Sequence, residues 1–318
     1  MYNTYKKNSR FPKNHLHVFS ALIATVALVL SSGVAFAQSK PTSAPAVSAA
    51  TMGDKRPKAI EYHMNWHRDF DAILQEFVDD AGWVDYDGLK DAQDRLDAYV
   101  AMLEGTDPDV LKNSPAKEQM AFWINAYNAL CLQRVLNHYP IKPDSPNTSF
   151  PTNSIMQIPG VWKEIQQEVA GKMVSLDKIE HEILRPTYKD ARIHVAVNCA
   201  SVSCPILQNR AFTASNLEEL MEKGRKEFAE SELRNQFDLK NKKASLSQIL
   251  NWFPDDFVKY HEGNPELIKM YGEKEGSLLS FYDPYLPAKT REAIRESKFQ
   301  VEFLEYDWRL NSQDLGLN

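Results

Sequence analysis

The chain has 318 residues, 43% of them hydrophobic, with 37 Lys and Arg against 43 Asp and Glu and a formal net charge of -6. That acidic balance argues against nucleic acid and anionic membrane surfaces as partners, since both require basic patches. Three cysteines are an odd number, so an oxidising compartment allows at most one internal disulfide and leaves a free thiol.

Lys6, Lys7, Arg10 and Lys13 form a basic start, Val18 to Leu30 is an uncharged apolar run, and Ala35-Phe36-Ala37 offers small residues where a signal peptidase reads. The run is shorter than the roughly 20 apolar residues a bilayer span needs. Residues 1–37 are therefore predicted to be a cleavable signal peptide, with a retained membrane tether as the alternative. Cleavage would take the net charge from -6 to about -10, and no stable membrane insertion is expected afterwards. Residues 38–56, rich in Ala, Ser, Pro and Thr, read as a flexible linker. Residues 57–318 then suffice for a single globular domain, with no internal repeat or composition break to divide them.

Helical periodicity covers 66–80, with Phe70, Leu74, Phe77 and Val78 as its core stripe, and 87–104. Trp83-Val84-Asp85-Tyr86 is a turn or short extended link between them. A long helix is predicted from Pro115 to Tyr139, with Ser114 as its cap. Its middle is apolar nearly all round, as in a helix buried on most faces. Asn125 and Asn128 share a face of it, where they either fasten a neighbouring loop or orient a reacting group. Cys131, in the same helix, reads as a small buried hydrophobe.

A loop over 140–160 carries five prolines, a length that often covers a site. Within it Asn147-Thr148-Ser149 matches a glycosylation acceptor. A hairpin over 161–175 is expected to turn at Ala170-Gly171-Lys172. A short helix follows, capped by Ser175 and ended by Pro186, with His181 four residues after Asp177 and beside Glu180. Arg192 to Pro205 reads as a short alternating strand, with Ile193, Val195 and Val197 on one face and His194, Ala196 and Asn198 on the other. It feeds a small-residue loop holding Cys199, Ser201, Ser203 and Cys204. Further on, 216–230 is an amphipathic helix, 237–246 a hairpin around Asn241, 247–260 a helix interrupted by Pro254, and 299–308 an extended segment. Helical runs with interspersed hairpins predict an α+β fold, several helices around a mainly antiparallel sheet.

FWINAYNAL at 122–130, SLDKIEHEILR at 175–185, RIHVAVNCASVSCP at 192–205 and YDWRLN at 306–311 together resemble one family, the domain of unknown function 547. With Trp83-Val84-Asp85-Tyr86 upstream, the resemblance runs over roughly 66–311. It implies relatives and no activity. The family pattern carries cysteines matching Cys199 and Cys204 and requires none at Cys131. It includes intracellular plant proteins beside secreted bacterial ones, and a purely structural disulfide would be odd in a reducing cytosol.

Three accounts of the cysteine loop stand open. The first is a thiol-dependent site of hydrolase or transferase type. In it Cys199 or Cys204 is the nucleophile, His181 (preferred) or His194 the base, and Asp177 or Glu180 the orienting carboxylate. Ser201, Ser203 and loop amides supply donors, with Asn128 in support. The second is a non-enzymatic binding or scaffold protein closed by a Cys199–Cys204 disulfide. The third is a metal or redox site using the cysteines with a histidine. No cofactor is identified, and Trp252, Phe253, Tyr282, Tyr285 and Trp308 are expected in the core.

Overall fold

The structure is a computed structural model that describes residues 66–316. The predicted signal peptide and linker lie outside the described residues. Among those residues no helix is long and apolar enough to cross a membrane.

The first half is helical. Helix α1 (Arg68–Phe77) buries Phe70, Ile73, Leu74 and Phe77 on one stripe, as the periodicity predicts. The second predicted helix is divided at Ala92 into α2 (Tyr86–Asp91) and α3 (Gln93–Glu104). Asp85 caps α2 by accepting the Gly88 N–H at 2.9 Å. Helix α4 (Pro108–Asn113) precedes the long α5 (Ala116–Leu136), which is buried on nearly every face. Ser114 does not cap α5. Its hydroxyl turns back to donate to Val110 O at 2.8 Å, and Pro115 occupies the capping position.

The expected hairpin is narrower than predicted: β1 (Gln167–Val169) pairs with β2 (Lys172–Val174) in antiparallel register. Ala170 (φ 46°) and Gly171 (φ 70°) form its two-residue turn, a geometry that needs two left-handed residues in succession. Ser175 then caps α6 (Leu176–Lys178), accepting the Lys178 N–H at 3.1 Å. Pro186 does not end this helix. The chain widens into a π-helical turn over Ile179–Leu184, and α7 (Arg185–Tyr188) carries it on to Lys189. Proline is tolerated there because it falls in the first turn of a new segment, where its missing N–H is not needed.

The predicted strand at 192–198 does not form. Ile193–Ala196 makes a single helical turn, α8. Asp190 starts it, its side chain accepting the Arg192 N–H at 2.8 Å and its carbonyl the Ile193 N–H at 3.2 Å. All four residues of the turn are buried, so their alternation in sequence distinguished no solvent face. Helix α9 (Leu217–Glu230) packs on α8, and Gly224 permits the approach, since a Cβ there would meet Val195 O at 2.9 Å.

Three strands, β3 (Gln236–Asp238), β4 (Lys243–Leu246) and β5 (Gln300–Phe303), form one sheet. β3–β4 is antiparallel and β4–β5 parallel. The fold is α+β, but this sheet is mixed, not mainly antiparallel. The chain from β4 to β5 passes through helices α10 (Gln248–Trp252), α11 (Pro254–Lys259), α12 (Pro265–Tyr271), α13 (Glu273–Tyr282) and α14 (Ala288–Glu296). A connection of that length can return the chain parallel to β4, which a tight hairpin cannot.

Apolar side chains gather in two clusters. One is built on α1 to α5, the hairpin and the cysteine loop. The other is built on the sheet, the end of α9 and α10 to α14. Trp252 and Tyr306 pack against both. Downstream of β5, residues 306–312 run back over the first cluster. Val202 N–H bonds to Arg309 O (2.9 Å), Ser203 N–H to Asp307 O (3.2 Å) and Val84 N–H to Asn311 O (2.9 Å).

Candidate functional site at the cysteine loop

The separate sequence motifs meet at this loop. Asn128 on α5 accepts the Asn198 N–H at 2.8 Å and donates to Ala196 O at 3.0 Å. Asn125, one turn away, does the same for Phe212, at 2.9 Å and 2.7 Å. Both asparagines are buried and both fasten loop backbone. Asn198 closes the loop from inside, accepting the Ala200 N–H at 2.8 Å and donating to Pro205 O at 2.7 Å. Ala200 adopts a left-handed φ of 57°, a strained geometry for a residue with a Cβ. The buried Arg234 guanidinium holds the far end, donating to Cys204 O at 2.6 Å. Tyr86 Oη donates to Asn311 Oδ1 at 2.8 Å, joining the Trp83–Tyr86 link to the C-terminal motif.

This rigid loop presents two free thiols. Cys199 Sγ and Cys204 Sγ lie 2.7 Å apart, and Cys204 Sγ accepts the Cys199 N–H at 2.8 Å. Cys199 Sγ also lies 3.1 Å from Ser201 Oγ and 3.0 Å from Tyr306 Oη. The two hydroxyls are themselves joined, Ser201 donating to Tyr306 at 3.1 Å. Burial opposes charge on Cys199, yet its hydrogen bonding with Cys204, Ser201 and Tyr306 outweighs this and lowers its pKa. Cys204 moves the other way, raised by burial and by its bond and proximity to Cys199. Two thiols in contact cannot both ionise cheaply, so the first proton leaves Cys199 and the second stays on Cys204.

The thiols open into a cleft of about 30 Å³ at the seam of the two clusters, lined by Tyr127, Glu180, His194, Val197, Cys199, Cys204, Ile249, Trp252, Phe253 and Tyr306 among others. A second groove of about 530 Å³ runs along Ser145 to Glu164 on the proline-rich loop. It is larger but holds none of the predicted site residues, and the chemistry lies in the smaller cleft. The proline-rich loop reaches that cleft indirectly, through Phe150 packed edge-on against Trp308 at 5.9 Å and through Asn153 O, which accepts the Leu310 N–H at 3.0 Å.

Glu180 is the charged-type side chain that the π-helical turn delivers to the cleft. It is 2% exposed, and its Oε2 has no hydrogen-bond partner among the described residues. Burial raises its pKa to about 8; Arg185 and the Tyr127 hydroxyl oppose this, and Cys199 adds to it. Glu180 therefore carries a proton at neutral pH. Insertion of a π turn, which re-aims the side chains around it, is a frequent device at functional sites.

Neither histidine reaches a sulfur. His181 Nδ1 accepts from Arg185 Nη1 at 2.8 Å, and its Nε2 lies 3.6 Å from Asp177 Oδ1. Burial, with the Arg185 charge, lowers its pKa to about 3. It does not line the cleft. His194 does, but its Nε2 is bonded to Asp256 Oδ2 at 2.8 Å and its ring stacks on Phe253 at 4.6 Å. Asp256 also accepts from Arg185 Nε at 2.6 Å. Its pKa is lowered against burial by His194 and Arg185.

The structure thus brings Cys199, Cys204 and Glu180 into one cleft. It puts Asn128 directly behind the loop and gives His181 to Arg185. Ser203 points elsewhere, accepting the Asp307 N–H at 2.9 Å. Cys131 is buried in α5, its thiol pushed up by burial. Tyr127 and Tyr306 were not singled out from the sequence, although both lie inside quoted motifs, and Trp252 and Phe253 were expected only as core. Arg234 and Asp256 carried no local signal at all. Among the described residues no group of three or more His, Cys, Asp or Glu side chains converges as a metal-ligand set.

No curated protein and no solved structure matches this chain. Residues 111–229 match the model of one protein family. That span runs from the end of α4 almost to the end of α9 and takes in Asn128, Glu180, Cys199 and Cys204, while Trp252 and Tyr306 lie beyond it. It is narrower than the resemblance seen in the motifs, and over it the chain is similar to the family described as protein of unknown function, DUF547.

Proposed function

We propose that this is a secreted or periplasmic thiol-dependent enzyme in which Cys199 is the nucleophile, Cys204 its partner thiol and Glu180 the proton-carrying group. The observation that carries the reading is Cys199 Sγ held within hydrogen-bonding distance of Cys204 Sγ, Ser201 Oγ and Tyr306 Oη, in a cleft that the buried, protonated Glu180 also lines. A thiolate is the reactive form of cysteine, and these donors favour it without a histidine. A leaving group formed in the cleft needs a proton, and a carboxyl group with a pKa near 8 can supply one at neutral pH. Asn128 positions the loop and His181 supports Arg185. The secretory assignment rests on the basic, apolar and small-residue pattern of residues 1–37.

A second reading, a scaffold closed by a Cys199–Cys204 disulfide, is favoured by the 2.7 Å separation of the sulfurs, about 0.7 Å from a bonded distance. One experiment separates the two. The reduced mature protein is alkylated with iodoacetamide across pH 5 to 9 and followed by intact mass. The enzyme reading expects Cys199 to react fast at pH 6, the reaction to vanish in Cys199→Ser, and to slow about tenfold in Tyr306→Phe. Thiols that react no faster than free cysteine at every pH would leave the scaffold reading standing.

A further inference from the structure

We propose that the substrate of this site is a small hydroperoxide, hydrogen peroxide or the peroxide end of a compact organic one, reduced by Cys199 and resolved by Cys204. This rests on the thiol-nucleophile reading above and adds the substrate class.

Size is the first argument. A cleft of about 30 Å³ holds a group of roughly two or three heavy atoms. The aromatic walls of Tyr127, Trp252, Phe253 and Tyr306 favour so small a reacting group over an ester or amide, whose carbonyl carries a substituent on both sides. Access by the disulfide of a large folded partner is poor for the same reason, Cys199 and Cys204 being only 9% and 3% exposed. The two oxygen atoms of a peroxide match that volume.

The placement of the two sulfurs is the second. A peroxide-reactive thiolate ends as a sulfenic acid, which a nearby thiol converts to a disulfide. Here the second thiol is already 2.7 Å away, so resolution requires no unfolding of the loop.

Glu180 is the third. Buried, protonated and without a partner at Oε2 among the described residues, it lines the cleft into which the leaving oxygen would depart.

In the first step the Cys199 thiolate forms an S–O bond as the O–O bond breaks. The departing hydroxide or alkoxide takes the Glu180 proton and leaves as water or alcohol. Cys204 then attacks the sulfenic sulfur, forming the S–S bond and breaking the S–O bond. Its own proton leaves with the hydroxide as water. Glu180 regains from solvent the proton that Cys199 first gave up. Two thiols are oxidised and one peroxide is reduced, and a cellular thiol or dithiol reductant restores the pair.

The test mixes the reduced full-length mature protein with equimolar hydrogen peroxide at pH 7, quenches with iodoacetamide and reads intact mass. The expected wild-type product has lost two hydrogens and two alkylation sites. Cys204→Ser should stop one oxygen heavier, trapped at Cys199 by dimedone, and Cys199→Ser should be inert. Glu180→Gln should slow the peroxide step by about 100-fold while iodoacetamide still reacts quickly with Cys199. Fast alkylation beside peroxide oxidation no faster than that of free cysteine would overturn the substrate assignment and leave the nucleophile intact. Faster oxidation by glutathione disulfide than by peroxide would overturn it too. Slow reaction with iodoacetamide and peroxide alike would remove the nucleophile itself, and the substrate assignment with it.

Discussion

Glu180 sets the most distinctive behaviour at the scale of single residues. Its folded pKa, about 8, lies above its unfolded value, so the native state is favoured while the group keeps its proton. That contribution is complete below about pH 4.5 and is lost as pH rises through 8. Glu180→Gln is expected to abolish a loss of roughly 2–4 kcal/mol between pH 5 and 9, read as urea unfolding free energy at each pH. Parallel curves for the two proteins would show that Glu180 ionises normally. Asn128 matters differently, because its amide satisfies one buried N–H and one buried carbonyl. Asn128→Ala should cost about 2–4 kcal/mol by the same measurement, and a cost under 0.5 kcal/mol would mean that water replaces both bonds. The sequence identified Asn128, Glu180 and both cysteines as candidates because their residue types carry chemistry. It could not tell that His181 would be taken by Arg185, since that depends on which way a helix turn faces.

At the scale of elements, the informative case is the helix over 176–188. Its start was legible because a serine cap is a local hydrogen bond, whereas its π-helical middle was not, because nothing in IEHEIL differs from ordinary helix composition. Ser175→Ala should destabilise the fold by about 1 kcal/mol. Gly171→Ala, in a hairpin turn with φ at 70°, should cost a similar amount, about 1 kcal/mol. Differential scanning calorimetry checks both, and an unchanged melting temperature in either variant would contradict the structural role given to it. The strand expected at 192–198 failed for a related reason. Alternation identifies a strand only when one face meets water, and here every residue of the turn is buried. The long α5 was the easiest element to read, being apolar throughout and 21 residues long.

Stability of the whole molecule is bounded on the acid side by buried imidazoles. Burial lowers the pKa of His67 to about 3, and burial with Arg185 brings His181 to about 3 as well. The stability they contribute while neutral is fully present above about pH 6.5 and is lost as pH falls toward 3. Opposed by Glu180 on the alkaline side, they predict a stability maximum near pH 6–7. Melting curves from pH 3 to 9 test this, and a midpoint that holds constant from pH 7 down to 4 would refute it. The sequence by itself determined the acidic character, the α+β class, the long buried helix and the loop on which two thiols stand. These follow from composition and from contacts a few residues apart. Only the tertiary structure decided what surrounds those thiols. Tyr306, Trp252, Arg234 and Glu180 come from four separate stretches of chain, and the parallel return of β5 follows a connection of more than fifty residues. Groups that far apart in sequence meet only because two apolar clusters pack together, and the cleft is the seam their packing leaves.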